Sequence, residues 1–324
     1  MIIVRLSDGL GNQMFQYALG RRLALDNDDT LKLDLAWYEQ RDVFGGTERT
    51  VTLDGFDVLF DPATPEDVAS VIGGKRLSLL LRRYGHLLEY APRLPARYFN
   101  YYRQIRERAP NPEEPPSWPH RRRFCPDVLA IDGDAYLDGY WQVPAYFEDI
   151  RDVLLEDFTV SNPLQGANAE TAARIDETTA VSVHVRRGDQ TGRGPDWDEF
   201  GNALRPPYYD RASALIADRV DATDLHLFVF SDDPDWCRTG LDLDYPTTVV
   251  DNNDGSTDYE DVRLMRRCDH HIIANSTFSW WGAWLCEHED KIVTAPSPWH
   301  KYGRPEGIIH EWEFLPEDWI VVEY

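Results

Sequence analysis

Lysine is nearly missing from this 324-residue chain. Only Lys32, Lys75, Lys291 and Lys301 stand among 33 basic residues, against 57 aspartates and glutamates. The formal charge is −24 and the isoelectric point is about 4.6. That balance excludes the Lys/Arg patch on which a nucleic-acid partner depends. It reads instead as a solvated acidic coat of the kind salt-loving organisms use, with self-repulsion screened by ionic strength. Cysteine is scarce as well: Cys125, Cys237, Cys268 and Cys286 are widely spaced and form no C-x-x-C pair. Neither a disulfide framework nor a zinc site is indicated, and reduced structural thiols are expected. There is no apolar run of 18 residues, and the chain starts directly on a strand-like stretch with no leader. A soluble, cytoplasmic protein follows, with membrane contact at most peripheral, at the inner face. No internal repeat is visible.

What is present suffices for a folded core: 42% hydrophobic and 12% aromatic residues. The length suits two domains, divided as 1–155 and 156–324. Residues 2–6 read as a strand, followed by the glycine turn Gly9-Leu10-Gly11 and a helix over 14–25. Strand, glycine turn and helix aim backbone N–H groups at an anion. The third glycine of a dinucleotide fingerprint is absent, because Met14 stands there. Asn12 and Gln13 offer amides at the turn's mouth or cap the helix. A strand over 31–35 comes next, then helical segments over 66–72 and 77–88, and a proline-rich acidic loop over 111–119. A strand over 135–142 precedes a helix over 146–158. Beyond it helices (168–177, 208–220, 258–267, 278–286) alternate with strands (180–185, 225–230, 247–250, 271–274, 291–295). That alternation predicts α/β architecture with a parallel sheet covered on both faces.

The stretch V-S-V-H-V-R-R-G-D, Val181 to Asp189, delivers a histidine, two arginines and an aspartate to a strand end, where open α/β sheets bind ligands. Two guanidiniums suit a diphosphate, although Arg186 and Arg187 paired locally with Asp189 would be ordinary surface chemistry. Other strands end in Ser231-Asp232-Asp233, Asp251-Asn252-Asn253 and Asn275-Ser276-Thr277, so the four endings point to one crevice. Ser276 and Thr277 either cap a helix or hold phosphate oxygens at its N-terminus. Asp232 and Asp233 have the chemistry of a metal pair, yet a site that neutralises a diphosphate with arginines has less need of a cation. Phe278-Ser279-Trp280-Trp281-Gly282-Ala283-Trp284 is expected mostly in the core, with Trp280 or Trp281 offering a platform to a sugar or base.

L-x-x-G-L-G-N-Q-M-F-Q-Y-A, H-V-R-R-G-D, F-S-D-D-x-x-W and H-H-I-I-A-N-S-T-F-S-W-W-G-A-W-L together resemble the α1,2-fucosyltransferases, glycosyltransferase family 11. The resemblance runs from Ile2 to about Trp299. It implies a GT-B-like fold, two Rossmann-like domains facing a central cleft, with the N-terminal domain on the acceptor side and the C-terminal one binding the GDP-sugar. It implies inverting transfer of L-fucose from GDP-L-fucose to the 2-hydroxyl of a terminal β-galactoside, on a galactose-containing glycan acceptor, with neither cofactor nor metal. It carries donor contacts onto Gly11, Asn12, His184 (guanine), Arg186 and Arg187 (diphosphate), Asp232 (base or ribose), Asn275, Ser276, Thr277 and Phe278. Two positions depart from the pattern: Asp8 replaces a glycine before G-L-G-N, and Gln190 replaces a tyrosine after R-R-G-D.

Inverting transfer places developing charge on the leaving diphosphate, which arginines and a helix N-terminus stabilise. The catalytic candidates are Arg187, Asn12 and, as general base, Asp189, with Asp8 and Asp233 behind it. Other readings are a transferase of the same fold with another sugar or acceptor, a non-catalytic glycan- or nucleotide-binding module, and a glycosidase, which has no use for paired arginines.

Overall fold

The computed structural model describes residues 1–39, 49–73, 101–103, 124–188, 203–220, 223–301, 308–309 and 313–324. The chain forms two compact units, Met1–Val160 and Ser161–Tyr324. Each is α/β and built on a parallel sheet. The helical segment expected over 77–88 and the acidic loop at 111–119 lie outside the described residues.

In the first unit the strands are β1 (Ile2–Arg5), β2 (Leu31–Asp34), β3 (Tyr101–Arg103) and β4 (Ala135–Asp138). They pair in the order β2-β1-β4-β3, all parallel. β1 is buried throughout, as a short β-branched central strand should be. The helix α1 (Leu10–Asp26) starts four residues before the apolar periodicity does, with Gly9 as its N-cap. Neither Asn12 nor Gln13 caps it. A Cβ on Gly20 would lie 2.3 Å from Val4 Cγ2, so the helix rests directly on β1 at this point. Asn27 closes α1, its side-chain amide donating to the carbonyl of Leu23 at 2.8 Å. The helix α2 (Pro65–Ile72) begins with a reciprocal Thr64–Asp67 capping box and buries Val68, Val71 and Ile72 against Ile3 and Tyr136.

The single helix expected over 146–158 is not formed. Two 3₁₀ turns, Pro144–Tyr146 and Glu148–Ile150, precede α4 (Arg151–Asp157), a short helix that follows α3 (Pro126–Leu129) in the chain. Phe147 breaks the run with φ −151° and ψ 0°. Its ring is wholly buried, edge-on to Phe15 at 5.7 Å, so tertiary packing overrides the local periodicity. The strand expected over 135–142 likewise stops at Asp138, because Trp141 takes a left-handed φ of 48°.

The second unit contains β5 (Thr179–Val185), β6 (Leu225–Ser231), β7 (Thr247–Val250), β8 (His270–Ile272), β9 (Val293–Ser297) and a small hairpin of β10 (His300–Lys301) and β11 (Ile308–Ile309), then β12 (Ile320–Glu323). The large sheet runs β12-β9-β8-β5-β6-β7, every pair parallel. Counted within the unit this is the order 6-5-4-1-2-3, the doubly wound Rossmann arrangement, whose direction of winding reverses between β5 and β8. β12 was not expected from the sequence.

Strand alternation divides the core. Val181, Val183 and Val185 pack with Tyr208, Ala212 and Ile216 of α6 (Pro206–Ala217). Ala180 packs on the opposite side with Ala172 and Ile175 of α5 (Gly166–Asp176), Phe228, Phe230 and the late turns of α8 (Asp258–Met265). His184 has the parity of Ala180 and therefore points to this second face. The short helix α7 (Pro234–Gly240) follows β6, and α9 (Thr277–Trp284) follows β8. Trp280 and Trp281 are fully buried, and Trp280 Nε1 donates to the carbonyl of Phe314 at 3.0 Å. Neither is a platform for a ligand.

Candidate functional site

The winding reverses between β5 and β8, and the carboxyl ends of the strands at such a point are where open α/β sheets bind ligands. β5 ends in His184, Arg186 and Arg187, and β8 leads into Asn275, Ser276, Thr277 and Phe278. The ring of Phe278 stands 5.5 Å from that of His184 and bridges the two strand ends. His184 is 4% exposed, and its Nδ1 has no hydrogen-bond partner among the described residues. Burial, with the Arg186 charge adding to it, lowers its pKa to about 3. The imidazole is thus neutral at any working pH, with one nitrogen to donate and one to accept.

The two arginines are held by the end of β6. Asp232 accepts the backbone N–H groups of Arg187 at 2.9 Å and Gly188 at 3.0 Å, and its Oδ2 lies 3.0 Å from Arg186 Nη1. A Cβ on Gly188 would fall 2.8 Å from Asp232 Oδ2, so any larger residue here would have to displace this carboxylate. Asp233 caps α7 by accepting from the Trp236 N–H at 3.1 Å, while its other oxygen accepts from Arg187 Nε at 3.3 Å. Ser231 completes the corner, donating to the carbonyl of Val185 at 2.8 Å and accepting from the Asp233 N–H at 3.0 Å. The guanidinium carbon of Arg187 lies 3.9 Å from the centroid of a Trp236 ring. Among the described residues, Arg186 pairs with Asp232 and Arg187 with Asp233. Asp189, expected beside them, lies outside the described residues together with Gln190.

The helix that carries Trp236 was not expected from the sequence, where Ser231 stood only as part of a strand ending and Trp236 only as the last residue of F-S-D-D-x-x-W. The signal was there: Asp233 followed by Pro234 is an N-cap followed by proline at the first helical position.

At the start of α9 the Ser276 hydroxyl accepts from the Phe278 N–H at 3.3 Å, so the cap is made. Its own proton remains available to an oxygen in the crevice. Asn275 is 4% exposed, and Thr277 and Phe278 are partly exposed. The fourth strand ending does not join this group. β7 lies at the sheet edge, and Asn252 and Asn253 hydrogen-bond Asn168 of α5. Asn253 also donates to Asp261 at 2.6 Å, and burial raises the Asp261 carboxyl to about 7.

In the first unit, the carboxyl ends of β1 and β4 carry a second polar group. Asp8 stands where the turn needs φ of +63°, a conformation glycine adopts freely and aspartate tolerates. Its carboxylate accepts from Tyr140 Oη at 2.6 Å, and its carbonyl accepts from Tyr38 Oη at 2.8 Å. Asn12 is partly exposed and its Oδ1 accepts from Gln142 Nε2 at 2.9 Å; Gly11 is buried. Gln13 is wholly buried: it donates to the carbonyls of Asp8 and Thr50 and accepts from the N–H groups of Thr52 and Leu53. It is a brace for the turn.

Among the described residues, no group of three or more His, Cys, Asp or Glu side chains is arranged to hold a metal, and no helix is long and apolar enough to cross a membrane. All four cysteines are free thiols, three of them buried.

An alpha-1,2-colitosyltransferase of Escherichia coli is 30% identical over 329 residues, covering 100% of this chain and 99% of the relative. Galactoside alpha-(1,2)-fucosyltransferase 1 of Mus musculus is 30% identical over 190 residues, 54% of this chain and 47% of the relative. Among solved structures, a mutant of Arabidopsis thaliana FUT1 in complex with GDP matches with a TM-score of 0.49 at 12% identity, covering 97% of this chain and 74% of the other. The model of the family described as "Glycosyl transferase family 11" matches residues 128–322, which take in every strand of the large sheet and both arginines. The chain belongs to glycosyl transferase family 11.

Proposed function

We propose that the protein transfers a 6-deoxyhexose, L-fucose first, from its GDP derivative to the 2-hydroxyl of a terminal β-galactoside, with inversion. The observation that carries this reading is the pose of Arg187. Its Nε and its face are occupied by Asp233 and Trp236, and its two terminal nitrogens carry no hydrogen bond among the described residues. Such a fork suits two oxygens of a diphosphate. In this reading the second unit binds the donor and the first carries the acceptor. Arg186, Arg187 and the α9 residues Ser276 and Thr277 hold the diphosphate, with Asn275 supporting the turn. Neutral His184 and Phe278 receive the base. Asp232 acts on the donor by shaping the arginine turn, and Gly11 and Asn12 serve the reacting end.

The acceptor oxygen attacks the anomeric carbon as the bond to the diphosphate breaks on the opposite face. Arg187 stabilises the charge appearing on the leaving oxygen, and removing one such donor costs roughly 3–4 kcal/mol in comparable sites. The base that takes the hydroxyl proton is Asp189. Asp8 is the alternative, whereas Asp233 is already engaged with Arg187 and the helix cap. Since the arginines neutralise the diphosphate, no metal is required.

The test is GDP release from GDP-L-fucose with a panel of β-galactosides, at low and molar salt, with and without EDTA. Acceptor-dependent release, unchanged by EDTA and reduced about 100-fold or more in Arg187→Ala, is expected. Release without any acceptor dependence would remove the transferase reading. A second sugar belongs in the same assay: the full-length likeness to a colitosyltransferase makes GDP-colitose the competing donor.

A further inference from the structure

We infer that Trp236 is a positioning residue for donor binding: it is the surface on which Arg187 is laid so that its fork faces the diphosphate. This rests on the donor reading above and adds to it a residue that touches no substrate. An arginine side chain has many rotamers, and a guanidinium free to wander would lose that freedom on binding. Here three contacts remove that freedom beforehand. Trp236 lies under the guanidinium plane at 3.9 Å, Asp233 takes Nε, and Asp232 fixes the backbone of the same residue.

Trp236 is itself immobilised. Its N–H is tied to Asp233 Oδ1 as the helix cap, and its ring leans on Gly240 one turn later. A Cβ at Gly240 would come within 2.7 Å of Trp236 Cε2, so the ring occupies the space that any other residue would need. The order of dependence is then Gly240, Trp236, Arg187, diphosphate. Removal of the indole leaves Arg187 its charge and its Asp233 contact but takes away its plane. The predicted loss is therefore in affinity for the diphosphate and in turnover. Affinity for the acceptor should be untouched.

The experiment is a double-mutant cycle on GDP affinity, measured by titration calorimetry, with wild type, Trp236→Ala, Arg187→Ala and the double variant. Trp236→Ala is expected to weaken GDP about three- to thirty-fold, the range of a partly desolvated cation–π contact. It should weaken GDP no further once Arg187 is absent. Trp236→Phe, which keeps an aromatic face, should recover most of the loss, and Gly240→Ala, which displaces the ring without deleting it, should reproduce part of it at an unchanged thermal midpoint. Equal effects of Trp236→Ala with and without Arg187, or no effect in either background, would overturn the inference while leaving GDP binding by the wild type intact. Failure of the wild type to bind GDP would instead overturn the donor reading and the inference with it.

Discussion

Gly188 and Asp232 meet at a separation that admits no methyl group. Gly188→Ala would place Cβ at 2.8 Å from Asp232 Oδ2, and the carboxylate would have to leave the backbone N–H groups it holds. We expect this substitution to weaken GDP about ten-fold or more while the thermal midpoint moves by only a few degrees, because the turn lies at the edge of the core; titration calorimetry and thermal unfolding check the two halves. A second residue-scale outcome concerns pH. Asp261 keeps its proton in the folded state up to about pH 7, whereas an ordinary aspartate loses it near 3.8. The stability that comes from this held proton is complete below pH 3.8, declines as pH rises and is gone above about 7. Asp258 and Glu260 face the same carboxyl and reinforce the shift, while Asn253 opposes it. Asp261→Asn should therefore match the wild type in urea unfolding at pH 4.5 and exceed it at pH 8. An equal difference at both values would refute the assignment. The arginine pair, His184 and the Ser-Thr cap were visible as residue types in a strand-end pattern. Their partners were not, since Asp232, Asp233 and Trp236 reach the arginines from about 45 residues away, across a neighbouring strand.

Elements were legible wherever one periodicity dominated. β5, β6, β7 and α5 sit within two residues of their expected bounds; for β5 and β6 buried β-branched and aromatic runs leave little choice. The stretch from Phe147 to Ile150 carried the same helical spacing and still broke where Phe147 is buried edge-on to Phe15. β12 escaped notice because only Val322 of its four residues is buried, which leaves no alternation to read. The contact between α1 and β1 yields a prediction at this scale. Gly20→Ala would drive a methyl group into Val4 and Leu31, at 2.3 and 2.9 Å, and overpacking of this kind costs typically 1–3 kcal/mol. Chemical denaturation should show it as a lower midpoint with an unchanged slope, despite the higher helix propensity of alanine. A midpoint at or above that of the wild type would mean that helix and strand can part freely.

For the whole molecule the dominant quantity is charge. With 24 more acidic than basic groups, self-repulsion opposes folding, and its reach shrinks from about 10 Å at 0.1 M salt to about 3 Å at 1 M. The thermal midpoint should rise steadily between 0.1 and 2 M KCl, and a flat profile would show that surface ion pairs such as Arg267–Asp176 already balance the coat. The tryptophan cluster on α9 also has an optical consequence. Trp280 lies within 5.0 Å of Trp281 and 5.8 Å of Trp284, with Trp319 at 5.6 Å, all in the second unit. Indoles this close and this rigid couple their transitions. The near-ultraviolet circular dichroism of the protein is therefore largely a signal of the second unit, and comparing its loss with the far-ultraviolet change separates the melting of one half of the chain from that of the other.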